Sequence, residues 1–212
     1  MPHRSFLELA LRGDRPAVRA LVRTLRKAGY TPDRLALEVL SPALVEVGDR
    51  WMRNELSVAD EHLVSSIAER TLTEIGLDLP PPSDDAPLVL LASVASESHR
   101  IGQLILDLLF QQAGFRVQTL GSQVPAPDLL ATVRRLKPHV IGLSVTMSYH
   151  VDEARETLAL LRSVTSATLL VGGAVFKEFP ELGAGLDADW IGADSLQGVR
   201  FAAARPLTTP AS

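Results

Sequence analysis

A helical bundle followed by a doubly wound parallel sheet is the fold class the sequence predicts, an α domain joined to an α/β domain. Three observations predict it. Residues 3–79 carry helical periodicity with almost no strand signal. Residues 88–204 alternate short β-branched runs with helical segments, the pattern of a parallel sheet with crossover helices. Between them, Leu79-Pro80-Pro81-Pro82-Ser83-Asp84-Asp85-Ala86-Pro87 holds three successive prolines, which cannot continue a helix and form an extended spacer. The expected organisation is a helical cap at 1–79, a linker at 80–87 and a sheet domain at 88–212.

In the first part, helices are predicted near 3–12, 14–29, 32–51 and 57–76, with turns at Gly13-Asp14, Gly29-Tyr30-Thr31-Pro32 and Asn54-Glu55-Leu56. Asp14 is placed to cap a helix that has Pro16 in its first turn. Thr31 caps the next, with Pro32 at its first position, and Ser57-x-x-Asp60 resembles a capping box. Four helices on short loops make a small antiparallel bundle.

In the second part, strands are predicted at 88–95, 116–120, 139–145, 168–171 and 189–192, and helices near 100–113, 126–136, 151–163, 174–184 and 195–204. Right-handed crossovers and five strands give the flavodoxin-like order 2-1-3-4-5. The switch point then lies between the first and third strands. Ligands are expected at the loops after residues 95 and 145.

Composition removes several function classes. With 212 residues, 46% of them hydrophobic, the chain can bury a sizeable core. It has no cysteine, which excludes disulfides, thiolate metal sites, Fe–S clusters and any cofactor joined through a thioether. No apolar stretch is long enough to span a bilayer, and Met1 is followed at once by Pro2-His3-Arg4-Ser5 rather than a signal pattern. The cytoplasm is the expected compartment. The net charge is −4. The basic residues between Arg12 and Arg34 recur at helical spacing among Leu11, Val18, Leu21, Val22 and Leu25, as on a solvated helix face, so direct nucleic-acid and membrane binding are not expected.

The chemistry concentrates at Glu97-Ser98-His99-Arg100-Ile101-Gly102, on the loop leading from the first strand into its helix. A neutral imidazole there can coordinate a metal through one nitrogen if an acceptor holds its other N–H, and Glu97 is close enough in sequence to be that acceptor. Gly102 lets a bulky group lie against the helix start. Ser144-Val145-Thr146 ends the third strand, bringing two hydroxyls, and Gly172-Gly173 follows the fourth; both lie on the same carboxyl edge of the sheet. A single histidine is a poor zinc or iron site. It suits a metal whose other positions are filled by a macrocycle.

Glu97-x-His99-x-x-Gly102, then Ser144-Val145-Thr146, then Gly172-Gly173 resembles the cobalamin-binding domain family, whose pattern is D/E-x-H-x-x-G, S-x-L and GG in this order. The resemblance implies that His99 replaces the cofactor's own benzimidazole on cobalt, with Glu97 as its partner. Ser144 would bond the tail base, and Gly102, Gly172 and Gly173 would make room for it. Thr146 departs from the family's leucine.

In the helical part, Trp51 followed by nine residues and then Glu61-His62 resembles the W-x9-EH motif of light-sensing cobalamin regulators of the CarH and LitR type. The flanking Val47-Gly48-Asp49-Arg50 and Glu55-Leu56-Ser57-Val58-Ala59-Asp60 follow that family's wording. The resemblance implies adenosylcobalamin, an indole over its upper face, Glu61 and His62 bonding the adenosyl group with Val58 beside them, and the bundle as a lid. It also implies that light cleaves the cobalt–carbon bond and changes a homo-oligomer or partner state. Those regulators begin with a MerR-type DNA-binding domain. Here Met1 lies just before the first bundle helix, so signalling is expected through another protein or self-assembly. Met52 stands where some members have a second cobalt-capturing histidine.

Two other readings share these motifs. Corrinoid methyl carriers of methyltransferase systems have the same cap and histidine loop, and photocobilins pair cobalamin with a bilin, here necessarily non-covalent. No catalytic residue is assigned. His139 and His150, flanking the third strand, read as loop or capping residues, with His150 close to the switch point. Receiver, flavodoxin and nucleotide-binding readings lack, respectively, a phosphorylatable aspartate, a phosphate loop and a glycine-rich turn.

Overall fold

A computed structural model describes residues 1–206, in two compact units, Met1–Leu79 and Pro80 onward. The first unit comprises α1 (Pro2–Leu11), α2 (Arg15–Lys27), a short α3 (Pro32–Arg34), a π turn (Leu35–Leu40), α4 (Ser41–Met52) and α5 (Val58–Gly76). Phe6, Leu7, Leu35, Leu40, Val47, Val64 and Ala68 are buried and form its core. Asp14 caps α2 through the Ala17 amide, and Ser57 with Asp60 closes the expected capping box.

Two expectations need correcting here. Thr31 has no side-chain capping bond, although Pro32 does open the helix beyond it. The single helix expected over 32–51 is instead interrupted by the π turn, where the Ser41 amide reaches the Ala36 carbonyl. Pro42 supplies the reason: it has no N–H for the Glu38 carbonyl and its ring presses on that residue, so the ladder widens just before it. On α2, Arg19 pairs with Glu74 through two of its guanidinium nitrogens, Nε and Nη2, and Arg26 pairs with Asp78. The basic face is thus partly matched by acids of its own unit.

The second unit holds β1 (Leu88–Ser93), α6 (Ile101–Gln112), β2 (Arg116–Gly121), α7 (Ala126–Leu136), β3 (Val140–Ser144), α8 (Val151–Arg162), β4 (Thr168–Gly172), α9 (Val175–Glu178), β5 (Trp190–Gly192) and α10 (Ser195–Ala203). All neighbouring strands are parallel, in the order β2-β1-β3-β4-β5. Leu90, Ala92, Ile141, Leu143, Leu169 and Val171 pack against α7 and α8. The alternate residues of β1 and β3 are buried on the other face, which is why these strands read as unbroken apolar runs.

The helix expected over 174–184 is likewise interrupted: α9 stops at Glu178 and a 3-10 turn follows from Pro180 to Gly183. A residue before proline is driven out of the helical region, and Phe179 sits at φ −133°, ψ 69°. A further 3-10 turn, Ser148–His150, precedes α8. Among the described residues, no helix is long and apolar enough to cross a membrane.

Candidate functional site

Strand register builds one edge. Ser93 pairs with Ser144, Ser144 with Gly172, and Gly172 with Gly192, so the carboxyl ends of β1, β3, β4 and β5 lie level. The chain leaves β1 through a tied loop. The Glu97 amide bonds the Val94 carbonyl, Gln123 donates to the Glu97 carbonyl, and both the amide and the hydroxyl of Ser96 bond Glu153 of α8.

Glu97 is the centre of this loop, at 0% exposure. Its Oε1 accepts from the His99 amide at 3.0 Å and the His99 ring Nδ1 at 2.5 Å. Its Oε2 accepts from the Thr146 amide at 2.7 Å and lies 3.1 Å from His150 Nδ1. Burial pushes the carboxyl up, and the hydrogen bonds from the His99 ring, the two amides and the His150 ring outweigh it, holding it at about 2. An ionised carboxylate can only accept. His99 Nδ1 therefore carries the proton, and Nε2 carries the lone pair that a metal would use.

The Glu97 carboxyl titrates far below its ordinary value of 4.5, so its contribution to stability is complete above about pH 4.5 and is lost as pH falls toward 2. Glu97 is expected to account for about 3 kcal/mol of the stability that wild type loses across that window. Urea unfolding at successive pH values should show the wild type's advantage over Glu97→Gln shrinking in step.

The expected site residues fall into groups. Ser98, His99 and Arg100 are exposed, with the His99 side chain 56% exposed, and Ile101 opens α6. Ser144 and Val145 are buried, and Thr146 joins the loop through its amide rather than its hydroxyl. At Gly102, a Cβ would meet only the Ser144 hydroxyl, at 3.7 Å. That methyl would not intrude on the protein itself, and the space over the α6 start is open to a bound group. The double glycine has further reasons of its own: a Cβ on Gly173, at φ +152°, would lie 1.7 Å from the Val145 carbonyl oxygen, and one on Gly172 would lie 3.2 Å from the Gly192 carbonyl.

Two residues of this site escaped the sequence reading of loops and caps. His150 stands at the N-cap position of α8 but makes no side-chain cap bond; it is 6% exposed and its ring is bound to Glu97. Gln103 is buried beneath the loop, donating to the Ser93 hydroxyl and the Gly121 carbonyl. Its signal was available, as a lone amide on the inward side of the apolar α6. His139 accepts the Leu88 amide on Nδ1, a structural role.

In the helical unit, Trp51 is 46% exposed in the chain, so it is not a core residue, and Val58 is exposed at the start of α5. Val58, Glu61, His62 and Ser65 share one helical face by their spacing. Glu61 is held from its own helix, by the Ser65 hydroxyl at 2.5 Å and His62 Nδ1 at 2.6 Å. The His62 side chain is 74% exposed.

The donor set fits a corrinoid: one oriented imidazole, on an open edge with a small-residue start to the adjoining helix. Among the described residues, no group of three or more histidines, cysteines or carboxylates is arranged to hold a metal ion. A metal on His99 would therefore draw its other ligands from a bound macrocycle.

Comparison with known proteins agrees. The B12 binding domain model matches residues 87–199, and a second model, also described as a B12 binding domain, matches residues 3–75. The HTH-type transcriptional repressor CarH of Myxococcus xanthus is 38% identical over 154 residues, 69% of this chain and 49% of that protein. Dimethylamine corrinoid protein 3 of Methanosarcina acetivorans is 26% identical over 70% of this chain and 71% of its own length. The chain thus spans about half the length of CarH. The monomethylamine corrinoid protein of Methanosarcina barkeri has the same fold, with a TM-score of 0.77 and 17% identity, over 94% of this chain and 95% of that one.

Proposed function

The chain belongs to the B12-binding domain family, and we propose that it is a cytoplasmic cobalamin-dependent light sensor rather than an enzyme. His99 is the lower cobalt ligand in this reading. Glu97 fixes its tautomer, Ser144 bonds the tail base, and Ser98, Arg100, Ile101, Gly102, Val145, Thr146, Gly172 and Gly173 border the corrin and its tail. The helical unit serves the upper ligand through Trp51, Val58, Glu61 and His62. When bound, adenosylcobalamin supplies a cobalt–carbon bond that visible light breaks.

The observation that carries the sensor reading is the α4–α5 group. Trp51 is left half-exposed near the end of α4, and on α5 Glu61 is braced by Ser65 and His62, an indole face and a fixed hydrogen-bonding group of the kinds that suit a nucleoside. The 38% identity to a repressor supports the same reading. Loss of the upper ligand would remove the partner of these groups and bias a two-state interface, changing the homo-oligomer or the engagement of a downstream protein. The methyl-carrier reading stands second, supported by likeness to a dimethylamine corrinoid protein over 71% of that protein's length.

The test reconstitutes the protein in the dark with adenosylcobalamin, then compares absorption and size-exclusion elution before and after green light. The sensor reading expects both to change together. Photolysis with unchanged elution, alone and with candidate partners, would favour the methyl carrier instead. A bilin-type band in the protein as purified would add a second, non-covalent chromophore.

A further inference from the structure

Between α2 and α5 lies a groove of about 160 Å³, with Val18, Val22 and Ile75 as its apolar lining. The ion pairs Arg19–Glu74 and Arg26–Asp78 cross it, about 10 Å apart along α2. Arg23 lines the same groove and makes no ion pair among the described residues. Glu74 and Asp78 are spent on their own arginines, so the uncompensated charge here is positive, and Arg15 and Lys27 extend it to the two ends of α2. The space is that of one aromatic ring, since a cavity of about 150 Å³ takes benzene.

An occupant of matching chemistry, a ring between carboxylates, stands on the chain's own surface. Phe179 is 43% exposed, and Glu178 and Glu181 beside it are exposed and make no ion pair among the described residues. The corner that carries them is fixed: the Phe179 amide donates to the Val175 carbonyl at 2.8 Å, the Phe179 carbonyl accepts from the Leu182 amide at 3.1 Å, and Val175 and Phe176 are buried in the core of the sheet domain. An aromatic side chain on a held backbone loses little freedom on docking, which suits it to anchor an interface. We propose that groove and knob are the two halves of a contact between copies of this chain, the Phe179 ring of one copy entering the α2–α5 groove of another, with Glu178 and Glu181 against Arg23 and its neighbouring cations. This locates the homo-oligomer of the sensor reading and rests on that reading only for its response to light.

Sedimentation velocity over a range of concentrations, on the cofactor-free protein and on the protein loaded with adenosylcobalamin in the dark, reads the association. Wild type should self-associate in at least one of the two forms. Arg23→Glu, Phe179→Ser and the double variant Glu178→Arg with Glu181→Arg should each weaken that association by about tenfold or more, the effect of removing a buried aromatic anchor or setting like charges against each other. All four side chains are exposed in the chain, so the fold is not at stake. Mixing the Arg23→Glu protein with the Glu178→Arg, Glu181→Arg protein should restore association, because each groove then meets a knob of opposite charge on the other chain.

A wild type that sediments as a monomer in both forms would overturn the proposal. So would variants that associate like wild type, or a mixture that associates no better than its components. Should the charge reversals dissolve the assembly while light leaves it intact, the contact stands and the sensor reading falls.

Discussion

Replacing His99 with alanine is expected to abolish the histidine-ligated cobalamin spectrum and to weaken cobalamin binding by more than about 100-fold, since even the partners that merely orient a metal ligand are worth 10–100-fold. The loop is held by Glu97, not by the imidazole: both Glu97 oxygens keep their backbone donors at His99 and Thr146. The fold should therefore survive, and the loss should be one of ligation. Absorption spectra and titration of the variant with cobalamin check it. An unchanged spectrum would remove His99 from cobalt.

The largest effect on stability belongs to Gly173→Ala. A Cβ there lies 1.7 Å from the Val145 carbonyl oxygen and 2.6 Å from its carbon, at φ +152°, a conformation that side chains rarely adopt. The obstacle is backbone, so no rotamer relieves it. The Val145 amide is tied in turn to the Gly172 carbonyl at 2.8 Å, so separating the two chains breaks the end of the β3–β4 ladder. A loss above about 4 kcal/mol is expected, against a total of about 5–15 kcal/mol for an ordinary domain, and urea unfolding would measure it. Gly102→Ala is the contrast. Its methyl would meet only Ser144 Oγ at ordinary contact distance, so the variant should be as stable as wild type while binding cobalamin less well.

Much of this was legible in the sequence because it is local. The strand order follows from helices alternating with apolar runs, and Glu97 and His99 stand two residues apart, within reach of one another in any loop. The capping box at Ser57 and the cap at Asp14 are legible for the same reason. What was missed depends on partners distant in sequence. His150 meets Glu97 across 53 residues, and only the pairing of β1 with β3 brings their loops together. The errors within helices were of another kind. Pro42 and Pro180 were in view, but apolar periodicity continues through both, and the backbone response to a missing N–H is set locally against that pattern. Gly173 shows a third limit: a motif glycine suggests room for a ligand, while its close approach to Val145 is a property of two strands already packed.

The central claim is that His99 is bound to cobalt, and electron paramagnetic resonance tests it most directly. The protein would be produced with nitrogen-15 histidine and loaded with unlabelled cobalamin in the paramagnetic cobalt(II) state. An axial nitrogen splits each cobalt line according to its nuclear spin. Ligation by the protein's histidine predicts doublets in the labelled protein and triplets in the unlabelled one. Triplets in both would mean that the cofactor's own base remains on cobalt, contradicting the account.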